Sequence, residues 1–196
     1  MKLKIIGLII VGLAMASCNA VENLSTSASM LQIVSLTDKD KKLPVFSNVV
    51  DYSNDIGIAK MNALPIDPGA ADATTPYFDV LIDQIDVAFK RTDGRNVEGV
   101  DVPYRFTQPM SFLVTINGSA EIPFMLIRHV AKFEAPLMAL HNIFPNQGKF
   151  LELVAVVTFH GKDLGGHRVA PATGYMNVWC ANFGDTASTT SALEQK

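Results

Sequence analysis

Residues 150–163 read FLELVAVVTFHGKD, residues 164–174 LGGHRVAPATG and residues 175–185 YMNVWCANFGD. Two apolar runs rich in β-branched residues flank a glycine-containing turn, which predicts a long β-hairpin. In the first run Leu151, Leu153, Ala155, Val157 and Phe159 fall on one face and Val154 and Val156 on the other. Apolar residues on both faces predict a central strand covered from both sides. A buried helix is the weaker reading, because Val154, Val156, Val157 and Thr158 are stiff at χ1 and favour strand. In the second run Met176, Val178 and Cys180 alternate with Tyr175, Asn177 and Trp179, the period of a strand with one buried face. Gly165 and Gly166 suit the reversal. Pro171 has no N–H to donate, so the return arm is expected to carry a bulge or an edge position there.

Outward from the hairpin the chain gives further short apolar stretches. Strands are expected at residues 30–36, 45–50, 56–64, 77–91, 110–116 and 120–133, with a short strand within 97–106. The alternation in 77–91 slips near Asp83 and predicts a bulge. Residues 65–76 form a loop rich in proline, glycine and small side chains. One short helix is expected near residues 135–143, with Pro136 in its first turn and Pro145 ending it. Many short strands, ten prolines and one short helix predict an all-β fold, an antiparallel β-sandwich. It resembles the immunoglobulin fold in a loose sense, without the Cys…Trp…Cys spacing of true immunoglobulin domains. The domain is expected to span residues 30–185, ahead of a polar tail at 186–196 expected to be disordered.

Residues 1–17 read as a signal peptide: Lys2 and Lys4, then an unbroken apolar run at 5–13, then small residues before a cysteine. Ala16-Ser17-Cys18 resembles the lipobox of bacterial lipoproteins. The resemblance implies cleavage before Cys18, acylation such as palmitate on that residue, and a lipid-anchored tether at 18–29. An ordinary cleaved signal with an incidental cysteine is the alternative. Asn19 stands where an aspartate would mark inner-membrane retention, so the resemblance points to the outer membrane. Loss of residues 1–17 removes two of the sixteen basic residues and none of the nineteen acidic ones, taking the net charge from −3 to −5. A mildly acidic chain carries no electrostatic footprint for nucleic acid. Once Cys18 is acylated, Cys180 is the one cysteine left, on the apolar face of its strand, where it reads as a small core side chain.

Motifs for haem attachment, blue copper, zinc hydrolysis, serine hydrolysis and nucleotide phosphate are missing, and the sequence implies no cofactor. His160, Asp163 and His167 bracket the hairpin turn and form one metal candidate, two imidazoles and a carboxylate that zinc would accept. The favoured reading of these residues is a solvated turn. Asp79, Asp83 and Asp86 are close enough to suggest paired acids, but ordinary outer-face charge explains them better. Residues 92–96 and 38–40 offer carboxylate oxygens without the EF-hand pattern. His129 and His141 have no readable partner. Tyr175 and Trp179 are the candidates for binding a partner, provided the sheet face they share is not covered by the loop near Ala70 or by the short helix. The sequence therefore predicts a non-enzymatic binding or assembly module of the cell envelope, with an envelope protein or a glycan as partner. An envelope hydrolase and a metal-binding lipoprotein are the alternatives.

Overall fold

The computed structural model describes residues 26–69, 74–143 and 149–184. Its strands are β1 (Ser29–Asp38), β2 (Val45–Asn48), β3 (Asp55–Pro65), β4 (Val80–Lys90), β5 (Phe106–Val114), β6 (Ser119–Ile127), β7 (Leu151–Asp163) and β8 (Arg168–Ala181). They form a β-sandwich of a three-stranded sheet, β1-β3-β6, and a five-stranded sheet, β2-β8-β7-β4-β5. Every pairing is antiparallel except β2 with β8, which is parallel. No helix among the described residues is long and apolar enough to cross a membrane. The signal peptide, Cys18, Ala70 and the tail at 186–196 lie outside the described residues.

The hairpin forms as its residues dictate. β7 is the middle strand of the larger sheet, and Leu153, Ala155, Val157 and Phe159 are fully buried. Phe159 meets Phe124 of β6 edge to face at 5.9 Å, which locks the two sheets together. Gly166 takes a φ of +90° at the turn, a conformation that glycine reaches without strain. Gly161 is needed for a different reason: a Cβ there would lie 2.7 Å from the carbonyl oxygen of Leu81 on β4. The register slips at Phe159/Gly161, where Ala170 and Pro171 give β8 one extra residue, the bulge that Pro171 predicts. β4 likewise shifts register between Ile82 and Gln84, so the expected bulge falls at Asp83.

Several expectations are corrected. Val154 and Val156 are partly buried rather than enclosed, so the second face of β7 is covered only in part. β5 starts at Phe106, inside the stretch read as loop and short strand; it is a sheet edge, where Pro109 costs no ladder bond. β6 ends at Ile127, and a single α-helical turn, α1 (His129–Lys132), follows it. The stretch expected to be helical holds a 3₁₀ turn at Met138–Leu140. Proline restricts the residue before it to extended backbone, so Ala135-Pro136 separates the two turns. The fold also begins before residue 30. Ser27 donates its N–H to the Arg168 carbonyl at 3.1 Å, and the Ser29 hydroxyl donates to the Phe78 carbonyl at 2.7 Å.

Candidate functional site

Alternation along β8 turns Met176, Val178 and Cys180 into the core and Tyr175, Asn177 and Trp179 outward, as the sequence predicts. Tyr175 is 66% exposed, so no described element covers that part of the face. Trp179 is half-buried under other aromatic rings. Register places Phe46 of β2 beside it, and their rings meet edge to face at 5.7 Å. Phe150, just before β7, stacks on the indole at 5.2 Å. Phe183, just after β8, meets Phe46 edge to face at 5.6 Å. Phe46, Phe150 and Phe183 each remain about half exposed, at 54, 51 and 45%. The Trp179 indole nitrogen is buried and has no hydrogen-bond partner among the described residues. Around the corner Tyr52 stacks on Phe133 at 5.3 Å, and Phe133 meets His141 at 5.9 Å. The Asn182 side chain joins the two clusters by donating to the His141 carbonyl at 2.9 Å.

Under this corner lies a buried polar network. The side chain of Lys132, on α1, is fully buried, and its ammonium donates to Asp55 Oδ1 at 3.0 Å. The Ser47 hydroxyl of β2 donates to the other carboxylate oxygen. Burial pushes the Asp55 carboxyl up from the usual carboxylate range, against the opposing pull of Ser47 and Lys132. Cys180 lies close by, its thiol pushed up to about 12, first by burial and then by the Asp55 charge. A cleft of about 370 Å³ opens beside β2, lined by Asp38, Lys42, Phe46, Asp51 and Asp55 among others.

Of the three metal candidates Asp163 and His167 meet, but His160 does not join them. His160 turns to the outer sheet face and pairs through Nε2 with Asp86 at 2.8 Å. Asp163 is buried at the hairpin turn, where it accepts the His167 N–H at 2.8 Å and faces its ring at 3.3 Å. Among the described residues no group of three or more His, Cys, Asp or Glu side chains could hold a metal ion. The three aspartates also separate. Asp79 accepts the Ile116 N–H at 2.7 Å, Asp83 sits in the bulge, and Asp86 accepts from Thr107 and Gln84 as well as facing His160. Burial pushes the Asp86 carboxyl up, but the hydrogen bonds from Thr107, Gln84 and His160 together hold it below its ordinary value. In the two loops that offer carboxylate oxygens, Asp93 oxygens receive Arg91 and Arg95, and Asp38 Oδ1 receives the Asp40 and Lys42 N–H groups. Those oxygens already serve the loops themselves. His129, without a readable partner in the sequence, faces Asn54 Oδ1 through Nδ1 at 3.2 Å.

Sequence reasoning finds Tyr175 and Trp179 but not Phe46, Phe150 and Phe183. The hairpin register, Leu151 opposite Cys180, brings Phe150 and Phe183 to the base of the arms beside Trp179. The bulge at Pro171 hides that register. Nothing in the residues around Lys132 marks it as buried, since lysine is seldom fully buried.

Fold and site together define a β-sandwich whose most distinctive surface is an open aromatic corner at a sheet edge. No protein-family model matches the chain, and no curated protein matches it.

Proposed function

We propose that the protein is a non-enzymatic binding or assembly module of the cell envelope, held at the outer membrane by lipid on Cys18, that engages its partner through the aromatic corner. The observation that carries this is the clustering of Phe46, Phe150, Trp179 and Phe183, with three half-exposed rings, in one surface region. Contiguous exposed apolar surface of this kind marks interaction sites, and aromatic side chains supply much of the energy at interfaces. The lipobox-like Ala16-Ser17-Cys18 is the support for the anchor. The experiment is a pull-down from detergent-solubilised envelopes with lipidated wild type and a Phe150→Ala/Phe183→Ala variant as paired baits. Both rings are half exposed, so the variant is expected to fold. A component retained by wild type and lost by the variant supports the reading. The same components on both baits would sink it.

A further inference from the structure

Resting on the binding-module reading, we propose that the free edge of β2 takes up an extended strand from a partner protein, apolar at alternate positions with Lys or Arg between. β2 is the edge of the five-stranded sheet, next to β8. In a parallel ladder alternate residues direct both backbone groups to the neighbouring strand. The Val49 N–H donates to the Ala181 carbonyl at 3.0 Å, so Val45, Ser47 and Val49 face β8, and Phe46 and Asn48 face away. The Asn48 carbonyl is taken by the Asp51 N–H at 3.2 Å. Among the described residues nothing takes the Phe46 N–H, the Phe46 carbonyl or the Asn48 N–H, which lie on the open side in the spacing an added strand uses.

Edge strands are ordinarily protected by shortness, charge, proline or cover. β2 has shortness alone: its four residues, VFSN, carry no charge and no proline, and the cleft runs along Val45, Phe46 and Asn48. The surroundings specify the partner. Side chains on one face of an added strand would lie against the Phe46, Trp179 and Phe183 rings, which favours apolar residues. Those on the other face would enter the cleft. There Asp55 is already paired with Lys132, which leaves Asp38, Asp40 and Asp51 against Lys39 and Lys42. The excess carboxylate favours Lys or Arg.

The probe is a seven-residue peptide of alternating lysine and valine with phenylalanine at its centre. It is compared with a copy N-methylated on alternate backbone nitrogens and with a glutamate-for-lysine copy. Hydrogen exchange should show protection of the Phe46 and Asn48 amides by the first peptide only. Phe46→Ala removes the ring alone, whereas Phe46→Pro also removes the edge donor without touching the β2–β8 ladder, so binding should fall about tenfold further in Phe46→Pro. Equal binding by the two variants, or undiminished binding of the N-methylated peptide, would overturn strand addition. A concentration-dependent dimer of the full chain that Phe46→Pro abolishes would overturn the assignment to a partner protein, since the added strand would then come from a second copy. Either result leaves the binding-module reading standing if the paired baits still differ.

Discussion

Lys132 shows what a single residue does in this fold. Its ammonium is enclosed, and Asp55, with a side chain 15% exposed, is its one anionic partner among the described residues. Removing one member of such a pair leaves the other buried and uncompensated, which costs about 3–5 kcal/mol. Lys132→Met is therefore expected to lose stability on that scale in urea, and Lys132→Met/Asp55→Asn to recover part of it. The pH dependence follows from the raised Asp55 carboxyl. A carboxyl that holds its proton more tightly when folded contributes stability below its unfolded pKa and loses it as pH rises through the folded value. Without Lys132 that loss deepens, so the variant should be penalised more at pH 8 than at pH 4; equal penalties would contradict the buried-pair assignment. Cys180, beside the pair, gives a second test. With its thiol pushed up to about 12, almost no thiolate exists at pH 8. A maleimide should label it slowly in native protein and rapidly in urea, and fast native labelling would show that the core is open there.

Among the elements, the connection from β4 to β5 is the most tightly organised loop. Asp93 accepts two hydrogen bonds from the Arg91 side chain and two from that of Arg95, and Arg105 pairs with Glu98. The Arg91 guanidinium is the largest influence holding the Asp93 carboxyl down, from its ordinary 3.8 to about 2. A depressed carboxyl contributes stability above its unfolded pKa and loses it as pH falls through the folded one. Amide exchange at Gly94 and Arg95 should therefore accelerate between about pH 4 and pH 2 beyond its intrinsic change, and Asp93→Asn should remove that step; an unchanged profile in the variant would show that the loop is held by other contacts. The same residues explain what the sequence could reveal. β7, β8 and both bulges were legible because alternation and a missing proline N–H act locally. The parallel β2–β8 pairing was not, because four residues with no turn signal can join either neighbour and tertiary packing decides. The pairing of Asp93 with Arg91 and Arg95 was hidden for a related reason: oxygens counted along a loop do not show which arginines will fold back on them.

For the whole molecule the decisive feature is polarity. Thr26, the first described residue, bridges to Arg168 at the turn end of the hairpin. Trp179 lies eleven residues farther along β8, roughly 36 Å away at about 3.3 Å per residue. An anchor at Cys18 would thus attach at one end of the sandwich, with the aromatic corner and the β2 edge at the other. The eight residue-to-residue steps from Cys18 to Thr26 reach at most about 28 Å. Two experiments test this arrangement. Cys18→Ala should move the protein from the membrane to the soluble fraction, and a variant that still pelleted with membranes would end the anchor assignment. The chain has one tryptophan, so its fluorescence reports the corner alone. In vesicles carrying lipidated protein, the proposed anchor would turn the corner away from the bilayer, so brominated acyl chains should leave Trp179 emission unchanged. Strong quenching would place those rings in lipid, and the exposed apolar surface would then be a second membrane contact.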